Sequence, residues 1–286
     1  MVMMKRFLAA LAATTGAALV LPAAAYAALA DVGKVPGDEP VPACPQSPCL
    51  AISRTTGYQA KVGDVRPVDV VPEDGRLVAW SITLGKPGTK QTAFFNENLG
   101  GEATAQITVM RPGRKLYYRV VAQGDAQKLA PYFGSSVQFA LKESIPVKKG
   151  YVVALTVPTW APALAVSQPG TTSWRATRGK GKCNDFDAQT AQVGVNNITR
   201  AYCLYRTARL TYSATMVTDP KPTAPPAEAP SADAPAAAAP PAPAAPSGGG
   251  TGGAGDQGGG QAAPDANPGG ANFDEFCEQN PGACGQ

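Results

Sequence analysis

The sequence predicts an all-β fold: a jelly-roll or immunoglobulin-like β-sandwich with a disordered Pro/Ala/Gly-rich C-terminal tail. Three observations predict it. Apolar residues recur with period two, which places each set on one face of a strand. Turn chemistry separates the runs, as in Glu73-Asp74-Gly75, Lys86-Pro87-Gly88, Arg111-Pro112-Gly113, Gln123-Gly124-Asp125 and Gln168-Pro169-Gly170. No stretch of ten or more residues sustains a helical period; only short turns at 97–99 and 125–130 suggest helix.

The N-terminus carries a targeting signal. Lys5 and Arg6 precede a small and apolar run over 7–21, and Ala25-Tyr26-Ala27 is an A-x-A site. This pattern predicts a secretory signal peptide over 1–27, cleaved after Ala27. The run is shorter than the roughly 20 apolar residues a membrane span needs, and no second such run follows. The mature chain is therefore expected to lack a transmembrane helix. Residues 28–43, with Pro36, Pro40 and Pro42, read as a flexible lead-in.

One sandwich domain is expected over 44–216. Val78, Trp80, Ile82 and Leu84 mark its first clear strand, followed by Ala105, Ile107 and Val109, then Leu116, Tyr118, Val120 and Ala122. Val137, Phe139 and Leu141 form the next. After a reversal through Pro146, Lys148, Lys149 and Gly150 come Tyr151, Val153, Leu155 and Val157. That strand is apolar on nearly both faces and is expected inside the sandwich. Leu164 with Val166, Trp174 with Ala176, and Leu210 with Tyr212, Ala214 and Met216 complete the series. Residues 217–271 turn to Pro and Ala, then Gly, too poor in large apolar side chains to offset the entropy of ordering. A short cysteine-containing segment, 272–286, regains aromatics.

An exported chain meets an oxidising compartment, so the six cysteines are expected as disulfides. Cys44 and Cys49 are close in sequence and flanked by prolines. Cys277 and Cys284 enclose a Pro-Gly turn and lie beyond the tail, so they are expected to pair with each other. Cys183 is left with Cys203, a closure worth roughly 3 kcal/mol in the chain-entropy picture. A four-cysteine zinc site is the weaker reading, because no pair has C-x-x-C spacing.

The chain has no histidine. That excludes Ser-His-Asp and Cys-His catalysis and the histidine-rich metal sites. No nucleophile elbow or P-loop occurs. Asn184-Asp185-Phe186-Asp187 offers oxygen ligands to calcium, but acids in a loop are common without a metal. Glycan cleavage would need two converging carboxylates, and the acids of 44–216 fall mostly in turns. The expectation is a protein with no catalytic residues, no metal and no cofactor.

Charge is split along the chain. Residues 44–216 hold 21 Lys and Arg against 10 Asp and Glu, a net +11, whereas 217–286 hold one Lys against eight acids, a net −7. A basic body should attract polyanions. The densest basic stretch carries Arg175, Arg178, Lys180 and Lys182, spaced by glycines, and is the first candidate for an anion-binding lip. Replacing these four by Ser is expected to leave folding intact. Trp160 between Pro158 and Pro162, and Tyr132 with Phe133 beside Pro131 and Gly134, are the aromatic candidates for stacking on a sugar. No aromatic-basic motif for nucleic acid is present.

The A-x-A signal, the β-rich body with Ile145-Pro146-Val147-Lys148-Lys149-Gly150-Tyr151-Val152-Val153, and the Ala/Pro/Gly tail resemble uncharacterised exported proteins of high-GC Gram-positive bacteria. The body is also similar, in its generic strand–turn–strand pattern, to the jelly-roll sandwiches of carbohydrate-binding modules. The resemblance implies a non-catalytic module at the cell envelope, and the basic and aromatic candidates add the expectation that this secreted or envelope-associated module binds a glycan or an anionic wall polymer. The alternatives are a carboxylate-dependent glycan-cleaving enzyme and a protein-interaction domain of an exported assembly.

Overall fold

The computed structural model describes residues 27–185, 193–220 and 270–279. The expected signal peptide up to residue 26, most of the tail, and Cys284 lie outside the described residues.

The elements run in chain order as β1 (Leu29–Val32), β2 (Leu50–Lys61), β3 (Gly75–Thr83), α1 (Thr89–Asn98), β4 (Thr104–Pro112) and β5 (Tyr117–Gln123). There follow β6 (Gln127–Lys128), a 3-10 turn (Ala130–Tyr132), β7 (Ser136–Val147), β8 (Val152–Ala161), β9 (Leu164–Ala165) and β10 (Ser173–Ala176). The chain ends with β11 (Ile198–Arg200), β12 (Cys203–Arg206), β13 (Arg209–Leu210), β14 (Tyr212–Thr218), β15 (Ala271–Asn272) and α2 (Phe273–Gln279). One sheet has the order β1-β14-β3-β7. The larger has the order β11-β5-β4-β8-β2-β10-β12, with β6 added to β4 and β15 to β2, while β13 pairs with β9. Every described pairing is antiparallel. The protein is an all-β, sandwich-like fold.

The main core lies between the sheets. Leu77, Trp80 and Ile82 enter it from β3, Ile107 and Val109 from β4, Val153, Leu155 and Val157 from β8, and Ala214 and Met216 from β14. A second, smaller cluster forms around Tyr58, Met110, Tyr118, Val120, Val152 and Ala154. Strand β8 supplies both clusters from alternate residues, which is why its sequence is apolar on both faces. Buried hydroxyls inside the large sheet bond one another: Thr156 bridges Thr56 at 2.8 Å and Thr108 at 2.6 Å.

The structure corrects several expectations. The lead-in is part of the fold: β1 pairs with β14 from Leu29↔Val217 to Val32↔Ala214, and the Arg209 Nε donates to Asp38 Oδ2 at 2.8 Å. Four strand residues before a proline-rich segment are too few to show a period. The fold also runs past Met216, since β14 continues to Thr218 and Asp219 N–H donates to Asp74 O. The reversal at 148–150 carries the chain from one sheet to the other: β7 is the edge of one sheet and β8 lies within the other. Pro146 sits on that edge strand, where a missing N–H costs least.

A ten-residue helix, α1, interrupts the strands. Gly88 N–H is held by Gln91 Oε1 at its start, and Gly100 and Gly101 take positive φ just past its end. Of its own residues only Phe95 is buried, so it shows no apolar stripe. Both resolvable disulfides are present as expected, Cys44–Cys49 and Cys183–Cys203. Cys277 is also disulfide-bonded, and Cys284, its expected partner, lies outside the described residues.

Candidate functional site

The four cations between Arg175 and Lys182 do not form a common lip. Arg178 is fully buried: its Nη1 donates to Tyr205 Oη at 2.7 Å, its Nη2 to Ser53 O at 3.1 Å, and the guanidinium lies over the Tyr205 ring. Burial pushes its pKa below the ordinary arginine value, and the Tyr205 contact opposes that shift. Arg175 is half-buried on β10, and its Nη1 donates to Ala201 O at 3.3 Å. Lys182 pairs with Asp185 at 2.9 Å, and only Lys180 joins it at the surface. The Cys183–Cys203 bridge and the β10–β12 ladder hold this stretch against the core, so the expectation of a loop of projecting charges is corrected.

Trp160 is likewise a core residue, with 0 % of its surface exposed. It ends β8 and does not sit in a turn; its Nε1 donates to Asn96 Oδ1 at 3.0 Å and to Gly101 O at 2.9 Å. Phe133 packs on it with ring centroids 5.5 Å apart. Tyr132 alone among the aromatic candidates is substantially exposed, at the 3-10 turn, edge-on to Phe139.

The structure assembles a different basic surface at the edge of the large sheet. Antiparallel register sets Arg111 of β4 directly opposite Arg119 of β5, and Arg119 opposite Ile198 of β11. It also sets Tyr117 opposite Arg200. Cross-strand partners share a face, so Arg111, Arg119, Tyr117, Ile198 and Arg200 lie together. Arg200 reaches over Tyr117 at 5.6 Å and over Tyr202 at 5.1 Å from the ring centroids. Tyr117 is 47 % exposed and Ile198 59 %.

The hairpin tip extends this surface. Gly113 N–H donates to Tyr117 O and Tyr117 N–H to Arg114 O, which closes the turn and leaves Arg114 and Lys115 exposed. Lys115 and Leu116 both adopt left-handed backbone, at φ 54 and φ 64. Such residues cost energy there and persist only where surrounding contacts hold them. Ala201 N–H on Leu116 O and Arg119 Nη1 on Asn196 O supply those contacts.

No carboxylate pairs with Arg111, Arg114, Lys115, Arg119 or Arg200 among the described residues. The sequence has no acid between Glu102 and Asp125, so the whole β4–β5 hairpin is free of one. Charged residues on edge strands also block unwanted sheet pairing. That role needs no facing arginines and no cation–aromatic stack. Sequence reading passed over this surface because Arg111-Pro112-Gly113 read as turn chemistry. The acid-free interval was the available signal.

A second concave feature is a groove of about 1140 Å³ between residues 33–46 and the smaller sheet, lined by Lys34, Asp38, Glu39, Lys86, Arg209 and Tyr212 among others. Its acids Asp31 and Asp38 already pair with Lys34 at 2.7 Å and Arg209 at 2.8 Å. Behind Gly33 lies Asp69, fully buried and bonded by Tyr212 Oη at 2.6 Å. Burial pushes the Asp69 carboxyl up to about 6, against the lowering effect of Tyr212, the Gln59 N–H and Arg209.

None of the described helices is long and apolar enough to cross a membrane. Comparison of the chain with protein-family models, with curated proteins and with solved structures returns no match.

Proposed function

We propose that this protein is an exported, non-catalytic module that holds an anionic polymer of the cell envelope at the Arg111–Arg119 edge. The observation that carries the reading is a cluster of five cations without acidic partners among the described residues, built around an exposed tyrosine on the sheet. Facing like charges repel one another, and a bound polyanion relieves that repulsion. Arginine also suits phosphate and carboxylate groups, which it meets with paired N–H donors. Tyr117 gives a sugar ring of the same polymer a flat apolar surface. The disulfides accord with an oxidising compartment, and Ala28, immediately after the A-x-A site, already hydrogen-bonds into the fold through Thr218.

The enzyme reading is weaker. In the groove two of the three acids are neutralised by bonded cations, and Asp69 is sealed beneath Gly33. The test is co-sedimentation with isolated envelope material. Wild type should pellet at low salt and be released as salt rises. Arg111→Ser/Arg119→Ser/Arg200→Ser should lose roughly 3 kcal/mol, or about 100-fold in affinity, at about 1 kcal/mol per charge. Equal pelleting of the triple variant would overturn the reading.

A further inference from the structure

The C-terminal segment returns to the body of the fold. β15 adds to the open start of β2, with Ala271 opposite Ala51 and Asn272 opposite Leu50. Phe273 N–H donates to Cys49 O, and Cys49 N–H donates to Asp274 Oδ2 at 2.7 Å. Phe273 meets Phe94 of α1 edge-on at 5.5 Å between ring centroids, and Phe276 packs tilted against the same ring at 4.4 Å. Gly270 admits the chain here, since a Cβ would stand 2.8 Å from Leu164 Cδ2 and 3.1 Å from Ala51 O. The seat is therefore specific. It reads a glycine, a two-residue ladder, a carboxylate and two aromatic rings.

Three features bear on what this seat serves. The segment is joined to β14 only through residues 221–269, a chain that at ~3.3–3.6 Å per residue can span up to roughly 170 Å. Every copy of the protein carries both the seat and the segment that fits it. The seat and the cationic edge also lie at opposite ends of the large sheet: β2 begins beside Ala161 at one end of β8, while Arg111 follows Met110, which faces Val152 at the other. Ten residues of β8 separate the ends by about 30 Å.

We propose that the seat between the start of β2 and α1 also accepts the C-terminal segment of a second copy of this chain. Exchange keeps every contact and changes only which copy supplies the segment, the low-cost route of domain swapping. The contact is head-to-tail, and it leaves the cationic edge of each copy exposed. Copies crowded on one surface would thereby be strung together. This inference does not depend on what the cationic edge binds.

The test uses the full chain with a photo-reactive phenylalanine analogue at Phe276, prepared in isotopically light and heavy forms and mixed. Irradiation should give cross-links to peptides of α1 and the start of β2. The heavy–light fraction should rise with protein concentration, and Phe94→Ala or Gly270→Val should reduce both the within-copy and between-copy products severalfold. Cross-links that stay within one copy at every concentration, or that map elsewhere, would overturn the proposal. Size-exclusion chromatography of the non-irradiated mixture, with larger species growing in at high concentration for wild type but not for Phe94→Ala, separates exchange from a photochemical artefact.

Discussion

Arg111 and Arg119 stand directly opposite each other on β4 and β5, and no carboxylate among the described residues bonds to either. Like charges in facing positions destabilise a sheet by a few tenths of a kcal/mol or more. Where a sequence breaks a local rule without a structural compensation, a functional site is the expected reason. Replacing Arg111 by Ser should accordingly leave the fold intact or raise its stability slightly, by roughly 0.2–1 kcal/mol in urea unfolding at low salt. A loss above about 1 kcal/mol would show that Arg111 has a structural role.

Arg178 and Lys180 should behave in opposite ways although they are two residues apart. Arg178→Ser removes the donors to the Tyr205 hydroxyl, which keeps its own bond to Cys183 O, and to the Ser53 carbonyl, and it leaves a cavity, so it should cost roughly 2–4 kcal/mol. Lys180→Ser, on the surface, should change stability by less than about 0.5 kcal/mol. The expectation that all four cations of that stretch can be replaced with folding intact should therefore fail at Arg178.

Trp160→Phe removes the indole donor shared by Asn96 and Gly101 and should cost about 1–3 kcal/mol. Its affinity for polyanions should match wild type, because the side chain is enclosed by Phe95 and Phe133. Weaker polyanion binding in the folded variant would return Trp160 to the ligand surface.

Asp69 sets a pH dependence. Its folded-state pKa is raised to about 6 by burial, so the fold prefers the protonated acid. The preference is fully present below about pH 4 and fades as pH rises toward the folded value, after which the loss is constant. The shift corresponds to roughly 3 kcal/mol at most. With no histidine in the chain, no imidazole titrates in the same window. Unfolding free energy of wild type should therefore fall from pH 4 to 7, and Asp69→Asn should flatten that slope. Parallel slopes in the two proteins would refute the assignment.

What the sequence made legible followed burial. β8 was plain because alternate residues feed two apolar clusters, and β3, β4, β5 and β14 were plain because one face of each is apolar. β2 was missed although it lies inside the large sheet: Ser53, Thr55, Thr56 and Gln59 are buried there, and the hydrogen bonds of Thr56 and Gln59 are made across strands that only the fold brings together. α1 was missed because nearly all of it faces outward. The C-terminal segment showed its aromatics, but the Phe94 they meet is far away in sequence. The basic site was misplaced for the same reason. Charge density along the chain pointed to 175–182, whereas charge density in space depends on the register of β4, β5 and β11.

The most direct test of the cationic edge is a calorimetric titration with one defined oligomeric polyanion, a phosphodiester-linked polyol, at several salt concentrations. Wild type should bind, with affinity falling linearly on a log–log plot as salt displaces condensed counterions. Arg111→Ser/Arg119→Ser/Arg200→Ser should bind about 100-fold more weakly at low salt and show a shallower slope, while Lys180→Ser stays near wild type. An unchanged slope and affinity in the triple variant would contradict the account.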